Sequence, residues 1–321
     1  MGRRSSRGRM CLFGTTLLVT GVTGLVGCGG PAETSAAAAG ECGTLKLAQT
    51  SWSALEANNA VVAYLAQKEL GCHIEYVKVT EDGLWDALAV GDVDVVIGNW
   101  SDDSYRQRFV EQQGRVVELG PDGTSARAGW YVPAWMVKKY PSLTNWEELR
   151  KKSDLFRDAG SSGKAGFLGP SSSDFSTDRQ LINNLDLDFT MRYTSGETDL
   201  LQAFEKAEEG RTPLLGHFRS PSWYLAKNTM VRVKLPAHTE GCDDILVQTA
   251  CDYAPQELQK LATKNFAASD SPAVLLVKRF SWTNAQQTAV AQAIFSEGST
   301  PEKAAQAWAQ KNSATVKTWL Q

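Results

Sequence analysis

The sequence predicts an α/β protein of two lobes, each a mostly parallel sheet flanked by helices, with a ligand cleft between them. Three observations lead there. Strand-like and helix-like segments alternate from Thr44 onward, and the same grammar starts again near Ala165. Aromatic side chains follow the predicted strand ends, where a doubly wound sheet places its ligand crevice. The chain from Thr44 to Gln321 is also long enough for two lobes of ordinary domain size.

Leu45 to Ala48 reads as a short strand. Ser53 to Leu70 repeats apolar residues at helical spacing (Leu55, Val62, Leu65, Ala66, Leu70) and stops at Gly71. Ile74 to Val79 alternates as a second strand, Leu84 to Val90 forms a helix ended by Gly91, and Val93 to Ile97 is a buried-type strand running into Asn99-Trp100. In the second lobe, Ala165 to Leu168 is a strand leading to Gly169-Pro170-Ser171-Ser172-Ser173. Helices follow at about Thr177 to Leu185 and Glu197 to Glu209, and Pro213 to Gly216 is a strand ending at His217-Phe218. Gly129 to Met136 and Val231 to Leu235 are extended segments suited to carry the chain between lobes, and two crossings permit hinge closure. The last third returns to the first lobe, with Ala273 to Val277 expected as a strand. Ala285 to Phe295 and Pro301 to Leu320 read as covering helices, and Trp282, Ala305, Trp308 and Trp319 as packing residues. The expected boundaries are residues 44–135 for the first part of lobe 1, 136–235 for lobe 2 and 236–321 for the return to lobe 1.

Residues 1–27 read as an export signal. Arg3, Arg4, Arg7 and Arg9 precede an uncharged apolar stretch that ends in Leu25-Val26-Gly27-Cys28. Small residues before a cysteine there fit a bacterial lipoprotein signal, so Cys28 is the expected lipidation site and residues 28–43 a low-complexity tether. The protein is therefore expected outside the cytoplasm, held to the bacterial cell membrane by the lipid alone. Net charge is −3 for the whole chain and becomes −7 without those four arginines, since no acidic residue precedes Cys28. A mildly acidic body argues against nucleic acid as a partner.

Of the six cysteines, Cys42, Cys72, Cys242 and Cys251 remain in an oxidising compartment after Cys11 leaves and Cys28 is lipidated. Three pairings exist. Cys42 and Cys72 each stand just before a strand, which parallel neighbours would bring together, and Cys242 and Cys251 close a short loop; that pairing is the favoured one. A metal site is disfavoured, because the thiols lack CxxC spacing and His73, His217 and His238 are scattered. No cofactor is implied.

Trp52 follows the first strand and Trp100 the third, Trp130-Tyr131 lie in an extended segment, and Phe218 and Trp223 follow the strand ending at Gly216. Singly, each is at home in a core. Jointly, rings from four distant stretches around one cleft suit a quaternary ammonium, which cannot donate hydrogen bonds but is attracted by about 0.5–2 kcal/mol per desolvated ring face. Trp85 and Trp146 lie in or beside helices and read as structural, while Trp135 fits either setting. The loop Gly169 to Phe175 is either an anion cradle of exposed amides or an ordinary helix N-cap. Asp102 and Asp103 read as solvated loop residues, although one of them could face a ligand's positive charge. No G-x-S-x-G elbow, HExxH or paired histidine and nucleophile supports catalysis.

The segments WSALEAN (Trp52 to Asn58), LWDALAVGDVD (Leu84 to Asp94) closing on Asn99-Trp100, GWYVP (Gly129 to Pro133) and SPSWYLAK (Ser220 to Lys227) together resemble the glycine betaine/choline-binding proteins of osmoprotectant ABC importers. The resemblance spans nearly the whole mature chain. It implies a two-lobed periplasmic-binding-protein fold of type II and a cage of Trp52 and Trp100, joined by Phe218 or Trp223. In choline-preferring members Trp130 or Tyr131 would join it. Two departures concern the polar end of the ligand. Tyr105 stands where betaine binders often carry a histidine, and Ser171 to Phe175 replace a glycine-rich amide loop; the tract His217-Phe218-Arg219 is also longer than usual. Tyr105, Ser173, Asp174, Phe175 and His217 thus complete the candidate set. The resemblance implies a monomeric, non-enzymatic binding protein that serves an ABC permease and its ATPase. The alternatives are a binding protein for another small solute, such as carnitine, an ectoine or an amino acid, or an extracytoplasmic enzyme on the same fold.

Overall fold

From Thr44 to Asn99 strands and helices alternate as the sequence indicates. The computed structural model describes residues 41–100, 102–157, 163–172, 176–227 and 229–321. The expected signal, Cys28, most of the tether, and Ser173, Asp174 and Phe175 lie outside the described residues. The strands are β1 (Thr44–Gln49), β2 (His73–Lys78), β3 (Val95–Asn99), β4 (Val116–Pro133), β5 (Ala165–Gly169), β6 (Phe189–Tyr193), β7 (Gly216–Ser220), β8 (Met230–Arg232) and β9 (Gln256–Thr263). The helices are α1 (Ser53–Leu70), α2 (Leu84–Val90), α3 (Asp103–Arg106), α4 (Ala134–Lys139), α5 (Trp146–Lys151), α6 (Asp178–Asn184), α7 (Glu197–Glu209), α8 (Lys264–Ala267), α9 (Pro272–Arg279), α10 (Asn284–Phe295), α11 (Pro301–Lys311) and α12 (Ser313–Leu320).

β1 pairs in parallel with β2 along its whole length and with β3, while β3 runs antiparallel to β9 and β9 antiparallel to the first half of β4. The second half of β4 turns to different partners. Arg127 to Tyr131 pair antiparallel with β7, and Tyr131 to Pro133 with β8; β7 is parallel to β5, and β5 to β6. One long strand therefore belongs to two sheets, ordered β2-β1-β3-β9-β4 and β4-β7-β5-β6.

α1 stops where the sequence says it should: Gly71 takes the left-handed conformation at φ 70° and its N–H bonds to the Ala66 carbonyl. Buried Val61, Val62, Leu65 and Ala66 of this helix join Leu45, Leu47, Val95 and Ile97 of the sheet in the largest core cluster, which α9 to α12 close with Phe280, Trp282, Trp308 and Trp319. A second cluster lies around Trp130, Phe167 and Phe189, and a third around Trp52, Trp85 and Phe109.

Three expectations are corrected. The strand expected over Pro213 to Gly216 begins only at Gly216 and runs to Ser220, so His217 and Phe218 lie inside it and not beyond its end. Ala273 to Val277 is helix, not strand: Ser271-Pro272 starts α9, with proline in the first turn where its missing N–H costs nothing. The strand that returns to the first sheet is β9, which the sequence reading passed over. Residues 301–320 form two helices, because the Asn312 side chain donates to the Trp308 carbonyl and ends α11. Both expected disulfides are present, Cys42–Cys72 and Cys242–Cys251. Among the described residues no helix is long and apolar enough to cross a membrane.

Cys42–Cys72 spans 30 residues and ties the entry of β1 to that of β2. Replacing both cysteines by serine is expected to cost about 3 kcal/mol, measured as a lower urea midpoint with a slope that is, if anything, steeper, because the uncrosslinked unfolded chain exposes more surface. An unchanged midpoint refutes that role.

Candidate functional site

A cavity of about 540 Å³ opens at the carboxyl ends of β1 and β3 and runs across to β7, α6 and the loop before β9. Trp52 stands between β1 and α1, 6 % exposed, with its backbone N–H on Thr50 Oγ1 at 3.2 Å. Trp100 follows β3. Its ring lies 6.0 Å from that of Trp52 with 40° between their planes, so two indoles from separate strands share one wall. Behind them Trp85 and Tyr105 stack at 6.1 Å and both also line the cavity. Gly98 in β3 has φ 96°, and a Cβ there would meet Asn58 Nδ2 at 2.5 Å; only glycine lets the rear wall close on Asn58 and Asp122.

The facing wall is polar, and strand alternation makes it so. His217 and Arg219 of β7 point into the cavity, whereas Phe218 between them points the other way, against Tyr131, Phe204 and Tyr224. His217 Nδ1 lies 2.9 Å from Asp178 Oδ2. Asp178 Oδ1 accepts from Trp130 Nε1 at 2.7 Å and from the Tyr253 hydroxyl. Burial alone would raise the Asp178 carboxyl, but the His217 imidazole, the Tyr253 hydroxyl and the Trp130 indole bring it below its ordinary value. Burial, reinforced by that carboxylate, pushes the Tyr253 hydroxyl well above its usual range, so Tyr253 stays a donor.

Arg219 Nη1 donates to Glu81 Oε2 at 2.7 Å, and its guanidinium carbon sits 5.5 Å from the centre of the Trp100 ring. Close by, the first N–H of α1, on Ser53, has no partner in its own helix. Glu197 at the start of α7 supplies it: Oε2 accepts from Ser53 N at 2.6 Å and Oε1 from Ser53 Oγ at 3.0 Å. Glu197 is half-buried, and desolvation pushes its carboxyl up to about 7 against the lowering by the Ser53 donors and Arg219, with Glu81 adding to the rise.

The structure brings Trp52, Trp100, Tyr105 and His217 together around one cavity, with Phe218 lining only a small side crevice beside Glu197. It does not bring the others there. The described lining of the main cavity leaves out Trp130, Tyr131 and Trp223: Trp130 is fully buried on Phe167, Tyr131 packs edge-on to Phe218, and Trp223 stacks on Phe295. Trp85, read as structural, does reach the cavity; Trp135 donates to the Ala207 carbonyl instead. Asp102 lines the wall but spends its carboxylate on the N–H groups of Ser104 and Tyr105 as the cap of α3. Sequence reasoning missed Arg219, Glu81, Tyr193 and Tyr253. Period-two alternation from His217 would have found Arg219; the loop residue Tyr253 carries no periodic signal.

A family profile, the substrate-binding domain of ABC-type glycine betaine transport systems, matches residues 43–311. The chain belongs to this family. Solved structures with the same fold include lactococcal OpuAC in a closed form complexed with glycine betaine, at 19 % identity and a TM-score of 0.68 over 87 % of this chain and 99 % of that one. An ABC-transporter choline-binding protein in complex with choline matches at 17 % identity and 0.68, covering 87 % and 92 %. The glycine betaine/L-proline-binding protein ProX of Borrelia burgdorferi matches at 18 % and 0.68, covering 87 % and 97 %. The two-lobed fold of these binding proteins is thus the fold of this betaine-transport family member.

Glu197 gives the domain a pH dependence of calculable sign. A carboxyl whose folded value is raised from 4.5 to about 7 adds stability that is full below pH 4.5 and is lost as pH climbs to about 7. Allowing for partial exposure, the loss is on the order of 1–2 kcal/mol. Glu197→Gln, which keeps an acceptor and a donor for Ser53, is expected to flatten melting temperature against pH between 4.5 and 7; an unchanged slope rules the assignment out.

Proposed function

We propose that this protein is an extracytoplasmic lipoprotein that captures a quaternary ammonium compound, glycine betaine or choline, and delivers it to an ABC permease driven by a separate ATPase. The carrying observation is the Trp52/Trp100 pair, two indoles 6.0 Å apart on the cavity wall, each on a different strand end. A trimethylammonium group held against both faces loses its water without losing hydrogen bonds, since it has none to give, and gains about 0.5–2 kcal/mol per ring. Family membership supports the class of solute, and the relatives crystallised with glycine betaine and with choline set the two candidates.

In this reading residues 1–27 are the signal, Cys28 carries the lipid and 28–43 tether the body, which acts as a monomer. Residues 44–135 and 236–321 make lobe 1 and 136–235 lobe 2. β4 and the segment after β8 are the two crossings, and closure about them strengthens the cation–ring attraction by expelling solvent. The polar wall at His217, Tyr253 and Arg219 receives the other end of the solute. Ser173, Asp174 and Phe175 remain candidates from the sequence.

Intrinsic fluorescence titration of the purified protein tests this, because its ten tryptophans make occupancy visible. Trp52→Leu and Trp100→Leu, each checked for folding by circular dichroism, are expected to weaken glycine betaine or choline at least about tenfold. Unchanged Kd in both variants would sink the cage, and saturation only by carnitine, an ectoine or an amino acid would reassign the solute.

A further inference from the structure

We propose that the Cys242–Cys251 disulfide is a positioning element of the solute site: it fixes the loop it closes as one wall of the cavity and sets Asp252 and Tyr253, which follow it, against the polar wall. The inference rests on the binding reading above and adds the part of the chain that holds the site in shape.

Between β8 and β9 the chain passes from the second sheet to the first, and on the way it lines the main cavity with Asp243, Leu246, Thr249, Cys251, Asp252 and Tyr253. A wall needs order, and the loop has little of its own. Among the described residues its regular structure is a single 3-10 turn, Leu246–Gln248. Its apolar tip is turned outward, with Ile245 and Val247 54 % and 73 % exposed, so burial does little to offset the entropy of holding the segment in one shape.

What restrains the segment is a bridge, an amide and an ion pair. The disulfide joins residues 9 apart in sequence, and Cys251 is itself buried and on the cavity lining. Asn184 at the end of α6 donates through Nδ2 to the Val247 carbonyl at 3.1 Å and to the Thr249 carbonyl at 2.8 Å. Just past the bridge, Asp252 accepts from Arg127 of β4 at 3.1 Å and from Arg232 of β8 at 3.0 and 2.6 Å. Tyr253 then reaches Asp178, the carboxylate beside His217. Cys251 thus adjoins the loop wall on one side and the polar wall on the other.

Opening the bridge lets the free loop sample more shapes, and a solute that needs it in one shape must order it on binding, which lowers affinity. Cys42–Cys72 has no such place. It ties the entries of β1 and β2, whereas the cavity lies at the carboxyl ends of β1 and β3. Because the restraint on an unfolded chain grows with the logarithm of loop length, the two bridges stabilise the fold by comparable amounts. Stability therefore does not tell them apart, and affinity does.

The experiment titrates glycine betaine and choline by tryptophan fluorescence on the full-length protein in four forms: wild type, Cys242→Ser/Cys251→Ser, Cys42→Ser/Cys72→Ser, and Asn184→Ala, each with its urea midpoint. Cys42→Ser/Cys72→Ser is expected to lower the midpoint and keep Kd within about twofold of wild type. Cys242→Ser/Cys251→Ser is expected to weaken the bound solute about tenfold or more while still folded by circular dichroism. Asn184→Ala, which leaves both cysteines in place, is expected to shift Kd in the same direction by a smaller factor. A Kd within about twofold of wild type in Cys242→Ser/Cys251→Ser overturns the proposal, as does equal weakening in both double variants, since the loss would then follow stability and not position. If Cys242→Ser/Cys251→Ser does not fold, Asn184→Ala decides, and an unchanged Kd there overturns the proposal. If wild type binds neither solute, the binding reading itself fails, and the inference with it; the wild-type titration alone separates that failure from the others.

Discussion

Strand β4 is the constraint on which the rest depends. Its first half completes one sheet with β9 and its second half completes another with β7 and β8. A continuous hydrogen-bonded ladder cannot change sheets without local irregularity, and β4 has it: its pairing with β9 shifts between Glu118 and Pro121 and again before Ser125. The irregular stretch is pinned from inside. Asp122, fully buried, accepts from the Thr124 N–H and hydroxyl and from Asn58 Nδ2, while Gln287 of α10 donates to Asn58 Oδ1. Lys260 of β9 donates to the carbonyls of Lys278 and Phe280 at the end of α9. Most of these buried polar atoms find a partner in one another or in a backbone carbonyl, Gln287 Oε1 being the exception, and such pairing is the condition for tolerating them in a core.

From that frame the two walls of the cavity differ in chemistry for local reasons. Trp52 and Trp100 are placed by strand ends and helix starts, where the chain leaves the sheet and a large side chain can lie over its edge. The opposite wall comes from inside a strand, so its side chains are assigned by alternation. Asp178 beneath it gathers Trp130, Tyr253 and His217 around one carboxylate, which fixes an imidazole and a phenol at the cavity surface. Trp130 is thus a support for the polar wall, reaching it through its indole N–H.

The alternation of strands and helices was legible because it depends on period and on punctuation by Gly71 and Gly91, both left-handed at helix ends. β9 was not legible. Gln256 to Thr263 mixes Glu257, Gln259 and Lys260 with Leu258 and Leu261, and a lysine at 2 % exposure is acceptable only because two carbonyls from a distant helix end await it. Ala273 to Val277 misled in the opposite sense: a short apolar run has no period of its own, and the Ser271-Pro272 start signal decides it. At the cavity, position after a strand end pointed to Trp52 and Trp100, both of which line its wall. It could not tell which face of β4 or β7 a ring would take, and so Trp130, Tyr131 and Phe218 went to the interior while Arg219 went to the cavity.

One feature of the geometry bears on timing. Both indoles, Trp85 and Tyr105 hang from the side of β1 and β3, whereas His217, Arg219 and Tyr193 belong to the side of β7 and β6. On the proposed reading, the aromatic wall is complete before the cleft shuts, so a solute can land on it in a single diffusive encounter. The polar wall engages only afterwards. Arrival is then governed by one half of the molecule and residence by the other, and release begins with the parting of the polar wall, which leaves the solute on the rings alone.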